Sequence, residues 1–221
     1  MLSLDVVSDV ICPWCFIGKR RLEAALTDID EVDMIGLAWR PFQLNPTMPP
    51  QGMDRGSYLA AKFGTAERAA DTYAHVSAVG ETVGIAFQFH RIRRTPNTLA
   101  AHRLIRFAQR LRRQDPVVEA LFAAYFLDGR DVGSVEVLSE VATDAGLDGG
   151  AVKAYLSSPE DVDAVLADDD RARRMGVTGV PCFIIARTYA LAGAQEPDLL
   201  RGAIIEAARR TAVETTSEVR H

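Results

Sequence analysis

The sequence has few cysteines, no excess of positive charge and no long apolar run. Three cysteines are too few for the disulfide framework of a small secreted protein. A formal charge of −5 argues against a general nucleic-acid binder, because phosphate binding needs an excess of lysine and arginine. No apolar stretch reaches the length of a membrane-spanning helix. We therefore expect neither nucleic acid nor a membrane as a partner.

The N-terminal stretch MLSLDVVSDV lacks the basic segment and the long apolar segment of a secretory signal. Its frequent β-branched residues predict a strand that starts close to Met1. We expect a cytoplasmic protein. In that reducing compartment a close cysteine pair is more often catalytic or metal-binding than a structural staple.

The remaining sequence is that of a globular protein, with 48% hydrophobic and 25% charged residues in 221. Hydrophobic periodicity and capping residues predict an order β-α-β, a block of helices, and then α-β-β-α. Strands are predicted at 2–7, 34–39, 181–186 and 189–192. Helices are predicted at 13–26, 67–83, 135–145, 151–156, 158–175 and 197–212, with two more starting near Asn97 and Asp115.

This order predicts an α/β fold in which a long helical segment interrupts a β-α-β unit. We assign residues 1–52 and 158–212 to the α/β domain and residues 53–157 to an all-helical insertion. Residues 213–221 are predicted to form a flexible tail.

The motif Cys12-Pro13-Trp14-Cys15 carries the clearest chemical signal. The predicted strand ends just before it and the predicted helix begins within it, so Cys12 is placed at a helix N-terminus. Unpaired backbone N–H groups and the helix dipole favour a thiolate there. Cys12 is therefore the expected nucleophile and Cys15, one turn later, the more buried resolving thiol.

Two other interpretations of the pair remain open at this point. A zinc site needs about four ligands, and only Cys182 and four histidines remain, without a second paired motif, so we predict no metal. An inert buried pair would be expected within an apolar stripe rather than at a helix start. Thiol–disulfide exchange is the interpretation that the position favours.

A second motif, GVTGVP at residues 176–181, stands just before a late strand. Local sequence leaves the Val180–Pro181 bond open, because cis X-Pro bonds are a small minority. Its place in the order of elements favours a cis bond opposite the cysteine pair. Val180 could then offer its backbone N–H and C=O to an extended substrate segment.

Several segments together resemble the DsbA-like thioredoxin-fold oxidoreductases, over nearly the whole chain. The resemblance is strongest to the branch that includes a dithiol–disulfide isomerase of the frenolicin pathway. The segments that carry it are CPWCFIGKRR, WRPFQLNP (39–46), NTLAAHRL (97–104), AYFLDGRDVG (124–133), GVTGVPCFII (176–185) and AGAQ (192–195).

The resemblance implies a thioredoxin-like fold with a helical insertion, Cys12 as nucleophile, Cys15 as resolving thiol and Pro181 in cis. It implies a thiol–disulfide oxidoreductase or isomerase without a tightly bound cofactor, working through a redox-active Cys12–Cys15 disulfide. Its substrate would be a protein or small molecule that carries a thiol or a disulfide. The expected contacts to substrate come from Pro13, Trp14, Val180 and Pro181.

The same branch borders on 2-hydroxychromene-2-carboxylate isomerases and kappa-class glutathione transferases. Those proteins usually carry serine at the nucleophile position and depend on glutathione. The alternative function is therefore a glutathione-dependent isomerase or transferase acting on a small aromatic molecule, and glutathione is a candidate co-substrate in either case. A third alternative is a binding module whose thiols only sense oxidant.

The remaining polar candidates have ordinary structural interpretations. Asp9 either caps a turn or takes a proton from Cys15, and capping is favoured. The histidines at 75, 90, 102 and 221 show no partner in the sequence and are interpreted as structural. The runs Lys19–Arg21 and Asp168–Arg174 are interpreted as solvated helix faces.

Cys182 departs from the resemblance, since an aromatic or aliphatic residue is common at its position. It follows Pro181 directly and opens an apolar strand. Because strand side chains alternate between faces, we expect Cys182 to share a face with Ile184 and to be buried and unreactive. The competing hypothesis is that Cys182 exchanges disulfides with the active pair.

Overall fold

A four-stranded mixed sheet lies at the centre of the structure, a computed structural model that describes residues 1–27, 29 and 34–218, with 212–218 described by their backbone alone. Its strands lie in the order β2-β1-β5-β6. A separate two-stranded pairing, β3-β4, lies in the insertion. The strands are β1 (Leu2–Ser8), β2 (Ile35–Pro41), β3 (Met53–Asp54), β4 (Arg94–Thr95), β5 (Cys182–Ile185) and β6 (Tyr189–Ala192).

The pairing of the strands confirms the predicted β-α-β opening. β1 and β2 are parallel, with Val6 opposite Trp39. β1 and β5 are antiparallel, with Val7 opposite Cys182. β5 and β6 form an antiparallel hairpin. This arrangement brings the end of β1, where the CPWC motif begins, beside the start of β5, where the GVTGVP loop ends.

Helices surround the sheet. On one face, α1 and α9 pack together and residues of β1 and β5 such as Leu4 and Phe183 join the main core. On the other face, Ala172 of α8 packs against Val7 and Cys182. The helices are α1 (Pro13–Thr27), α2 (Arg55–Phe63), α3 (Ala66–Glu81), α4 (Leu99–Arg110), α5 (Gln114–Phe126), α6 (Val135–Asp144), α7 (Gly149–Ser157), α8 (Val162–Arg174) and α9 (Pro197–Glu218).

Some predicted element bounds were wrong. Helix α2 was not predicted, because nearby prolines and Gly56 suggested irregular structure, yet the Asp54 side chain caps its N-terminus by accepting from Ser57 N–H. Helix α8 begins at Val162 rather than 158, since Ser158 instead ends α7 and its hydroxyl donates to the carbonyl of Tyr155. The insertion is also not purely helical, because it contains β3 and β4.

The C-terminal boundary also differs from the prediction. Helix α9 continues to Glu218, so most of the segment predicted as a tail continues the helix. Residues 219–221, which include His221, lie outside the described residues. The assignment of residues 53–157 to a separate insertion stays a prediction.

The segment assigned to the insertion packs directly on helix α1. Phe16 of α1 stacks on Phe122 of α5, with ring centroids 5.0 Å apart. Lys19, with a side chain only 2% exposed, forms ion pairs at 3.2 Å with Asp115 and with Glu119. The prediction that Lys19 lies on a solvated face is therefore wrong, because α5 covers it and supplies carboxylates that satisfy its charge.

No helix in the described ranges combines the length and the hydropathy that crossing a membrane requires.

Candidate active site

The CPWC motif forms a tight turn between β1 and α1. The Cys12 backbone N–H donates to the carbonyl of Asp9 at 3.0 Å, and α1 begins at Pro13. The Cys12 thiol donates to the carbonyl of Val180 at 3.4 Å. Only 4% of Cys12 is exposed. The first cysteine therefore lies at the start of a helix, with its sulfur against the GVTGVP loop.

Cys15 lies inside the first turn of α1 and is 1% exposed. Both cysteines are free thiols in the structure. Burial raises the pKa of the Cys15 thiol well above its ordinary value, and the neighbouring Cys12 raises it further, while hydrogen bonds from Ser8 and the Asp9 backbone partly oppose this. Cys15 is therefore held protonated at neutral pH, the state expected of the predicted resolving thiol.

The loop opposite the cysteines is held close to α1. The Val180–Pro181 peptide bond is cis. Gly18 makes the approach possible, because a Cβ atom there would lie 2.9 Å from Cγ of Pro181. The carbonyl of Pro181 accepts from Gly193 N–H at 2.7 Å, which ties the loop to the end of β6. These contacts fix the position of Val180 relative to Cys12.

An open groove starts at this loop. It has a volume of about 600 Å³ and lies between the end of α8 and the β5–β6 hairpin. Val180 is among its lining residues, together with apolar side chains of β5 and β6. Cys182 and Ile184 line the groove, whereas Cys12, Pro13 and Trp14 do not. The groove therefore lies on the Cys182 face of the sheet and reaches the GVTGVP loop at Val180.

Trp14 lies between the two cysteines and is partly exposed. Its ring centroid is 5.8 Å from that of His75 on α3. Pro13 is also partly exposed. The segment assigned to the insertion thus reaches the turn formed by the CPWC motif. Pro13 and Trp14 stay partly exposed beside Cys12.

Asp9 and His102 are the site residues whose arrangement the sequence did not predict. Asp9 is fully buried, and its Oδ2 accepts from Leu44 N–H at 2.7 Å, so it links the active turn to the segment after β2 rather than capping a local turn. His102 of α4 places Nε2 3.4 Å from Oδ1 of Asp9. His102 thus approaches Asp9 without a hydrogen bond between these two atoms, and no local sequence pattern indicated the contact.

The other polar candidates lie away from the sulfurs or serve packing. His75 and His90 are exposed. Asp169, from the run predicted to be solvated, is buried, accepts from Gln43 N–H at 3.0 Å and pairs with Arg173 at 3.1 Å. That part of the prediction is wrong, because α8 uses Asp169 to hold the segment after β2.

Cys182 lies on the opposite face of the sheet from α1. It packs with Val7 and Ile184 in the second core cluster, whereas its neighbour Phe183 reaches Gly18 of α1. Burial raises the pKa of the Cys182 thiol. The geometry favours the buried interpretation, because its side chain points away from the pair that it would have to join.

We expect Cys182→Ala to retain disulfide exchange and to lower the free energy of unfolding by roughly 1 kcal/mol, from lost packing. Turnover of a model disulfide and urea unfolding measure the two quantities. Peptide mass mapping of the mildly oxidised wild type should show Cys12 linked to Cys15 and Cys182 free. A bridge between Cys182 and either active cysteine, with lost turnover in Cys182→Ala, would establish the competing hypothesis.

In the described part of the chain, no three His, Cys, Asp or Glu side chains lie close enough together to share a metal ion.

Comparison with known proteins places these features in context. The family model for the DSBA-like thioredoxin domain matches residues 3–205. The chain is 26% identical over 204 residues to the uncharacterised protein YwbO of Bacillus subtilis (strain 168), covering 92% of this chain and 96% of YwbO.

Two solved structures show the same architecture. A probable DsbA oxidoreductase from Streptomyces coelicolor superposes with a TM-score of 0.85 at 33% identity, covering 94% of this chain and 90% of that one. The cytosolic disulfide reductase DsbM from Pseudomonas aeruginosa, solved with GSH, superposes with a TM-score of 0.64 at 18% identity, covering 94% of this chain and 99% of DsbM. The second likeness shows the fold alone.

Proposed function

The chain belongs to the DSBA-like thioredoxin domain family, and from that premise we propose that it is a thiol–disulfide oxidoreductase that works through Cys12 and Cys15. One observation carries the proposal. The thiol of Cys12 lies at a helix start against the Val180 carbonyl, at 3.4 Å, with the protonated thiol of Cys15 buried behind it. This arrangement provides an attacking and a resolving sulfur within one helical turn, and a backbone for docking in the adjacent loop at Val180.

The reaction consists of two exchanges. The Cys12 thiolate attacks one sulfur of a substrate disulfide, which forms a mixed disulfide and releases the first substrate thiolate. Cys15 then loses its proton and attacks the Cys12 sulfur, which releases the second substrate thiolate. The substrate disulfide is reduced by two electrons, and Cys12 and Cys15 become a disulfide. The reverse sequence oxidises a dithiol substrate.

The substrate is proposed to dock beside Cys12 as an extended segment. Val180 offers backbone groups in the manner of strand addition, Pro181 holds that backbone in place, and Pro13 and Trp14 provide exposed surface. The proposed substrates are proteins or small molecules that carry a thiol or a disulfide.

We also propose a cytoplasmic location and glutathione as a candidate co-substrate. The few cysteines of the sequence fit a reducing compartment. DsbM, which shares the fold, is a cytosolic disulfide reductase solved with GSH. Cysteine at the nucleophile position favours redox exchange over the alternative of a glutathione-dependent isomerase or transferase.

The test is to trap the intermediate. Cys15→Ser is expected to accumulate a mixed disulfide on Cys12, because release needs the second thiol. Glutathione disulfide and insulin serve as model substrates, and intact-protein mass spectrometry with peptide mapping locates the adduct. The double variant Cys12→Ser/Cys15→Ser is the matched control and should remain unmodified.

The alternatives give different results in the same experiment. A glutathione-dependent isomerase would convert an aromatic substrate in the presence of glutathione without an adduct on Cys12. An oxidant sensor would show neither an adduct nor conversion. Either result would overturn the proposed function.

A further inference from the structure

One half of the second sheet face is open. On the face that carries Cys182, helix α8 packs over β1 and β2. Paired residues of neighbouring strands share a face, so Ala192, opposite Cys182, and Ala190, opposite Ile184, also point to this side. Both alanines are exposed. The part of the face nearer β6 is therefore an uncovered apolar surface, of the kind that marks binding sites.

The groove of about 600 Å³ lies over this uncovered part of the sheet. Its floor is made by the four side chains of β5 and β6 just named. Residues 175–180 form one wall, and residues 187–189 of the hairpin form the other. The volume is within the range of small-molecule sites, and the short alanine side chains leave room for an apolar chain to lie flat on the sheet.

Arg187 is the one charged residue among the described residues that line this groove. It also lines an adjoining depression of about 290 Å³, which holds two other arginines and two aspartates. Those four residues are engaged with each other, Arg40 with Asp5 at 2.7 Å and Arg171 with Asp168 at 3.6 Å. Arg187 forms no ion pair in the described part of the chain. Its charge is therefore the one left for a ligand.

The backbone at Arg187 is unfavourable for the residue that it carries. Thr188 N–H donates to the carbonyl of Ile185 at 3.1 Å, which closes a two-residue turn between β5 and β6. Ala186 and Arg187 have φ values of 52° and 59°, in the left-handed region. Asparagine and glycine are the usual residues in such a hairpin turn, so the turn itself does not explain an arginine. Residues held in unfavourable backbone conformations concentrate at functional sites.

We propose that the groove binds a small amphipathic carboxylate of the fatty-acid type. Its apolar chain lies on the floor formed by β5 and β6, and its carboxylate accepts two parallel N–H bonds from the Arg187 guanidinium. One unpaired arginine beside an apolar floor matches a ligand with one charge and one apolar chain. An extended peptide fits less well, because the floor offers its backbone N–H and C=O groups no strong hydrogen-bond partners. The inference goes beyond the redox proposal, since Cys12, Pro13 and Trp14 do not line the groove.

Calorimetric titration of the full, reduced chain tests the proposal. Hexanoate, octanoate and decanoate are each added below the critical micelle concentration, and a single decanoate is expected to bind per chain. Each added CH₂ should tighten binding by about two- to fourfold, because complete burial of one CH₂ corresponds to about fourfold. Decyltrimethylammonium, which has a similar chain and the opposite charge, should bind at least about tenfold more weakly than decanoate.

Arg187→Asn removes the charge and keeps a residue that the left-handed turn accepts. Decanoate affinity should fall by roughly tenfold or more, the scale of a hydrogen bond to a charged group. The melting temperature should equal that of the wild type or rise, since the turn suits asparagine better. Arg112→Asn is the matched control. Arg112 is also exposed and has a φ of 56°, but it lies between α4 and α5, away from the groove lining, so this variant should bind decanoate as the wild type does.

Ala190→Phe locates the ligand independently of charge. The ring would occupy the floor of the groove, and the fold should be kept, because Ala190 is exposed and phenylalanine is favoured in strands. Decanoate affinity should fall at least as much as in Arg187→Asn. Thermal unfolding close to that of the wild type separates a filled groove from a lost fold.

Several results would overturn the proposal. They are no decanoate binding at millimolar concentration, equal affinity for decyltrimethylammonium, equal effects of Arg187→Asn and Arg112→Asn, or full binding by Ala190→Phe. A dimer in sedimentation that Ala190→Phe dissociates, without decanoate binding, would show that two copies of the chain cover this face, and would also overturn it. None of these results changes the mixed disulfide expected on Cys12, so the proposed function is tested separately.

Discussion

Cys12→Ser is expected to abolish disulfide exchange, with a loss on the order of 10³-fold or more, to the rate without enzyme. In the proposed mechanism Cys12 is the attacking sulfur, and its thiol lies against the Val180 carbonyl. The serine hydroxyl is not ionised at neutral pH, so it cannot replace the thiolate as nucleophile. Turnover of insulin with a thiol reductant measures the effect.

Cys182 provides the control for this prediction. Cys182→Ala also removes a buried cysteine, but on the other face of the sheet, and should retain turnover. Thermal unfolding of Cys12→Ser should be close to that of the wild type, which separates lost chemistry from lost structure. Unchanged insulin reduction by Cys12→Ser would exclude a redox function for the CPWC pair.

Arg103→Ala is expected to lower the free energy of unfolding by roughly 3–5 kcal/mol, the cost of breaking a buried charged network. Arg103 of α4 is 5% exposed, and its guanidinium donates to four main-chain carbonyls. The acceptors, at 2.7 to 3.0 Å, are those of Tyr155, Leu156, Ser158 and Glu160. These groups close the end of α7 and the turn into α8, and without the guanidinium each of them loses a charged donor. The Tyr155 carbonyl keeps the Ser158 N–H and hydroxyl as donors.

Arg110 is the matched control for Arg103. It lies on the same helix, but its side chain is 49% exposed, and its ion-pair partners are the exposed Glu160 and the mostly buried Asp161. Arg110→Ala should cost less than about 1 kcal/mol. Arg103→Lys should recover only part of the loss, because an ammonium cannot serve four acceptors in a planar fork. Equal losses in urea unfolding for Arg103→Ala and Arg110→Ala would contradict this account.

Local sequence patterns were sufficient to predict the α/β domain that carries the cysteine pair. The apolar alternation of β1, the helix start at Pro13 and the hairpin of β5 and β6 follow from short-range sequence features. Helix α2 did not, because its sequence contains Gly56 and follows a proline-rich segment. Its stability comes from the Asp54 cap and from tertiary contacts, such as the Asn45 side-chain amide donating to the Tyr58 hydroxyl.

The polar part of the candidate site could not be predicted in the same way. Cys12 and Cys15 are close in sequence, so their spacing alone indicates chemistry. Asp9 and His102 belong to different domains of the predicted chain and meet only after α4 packs against the active turn. Lys19 and Asp169 were assigned to solvent for the same reason. From sequence alone, a charged residue is predicted to be exposed, because the helix that covers it is not yet known.

The stacking of Phe16 on Phe122 has a consequence for the size of the smallest working version of this protein. A gene shortened by the codons for 53–157 would still encode every strand of the central sheet and both cysteines of the CPWC motif. It would also uncover the outer side of α1, where Phe16 meets Phe122 and Phe126 and Lys19 meets Asp115. Miniaturisation would therefore have to redesign that side of the helix as a water-facing surface.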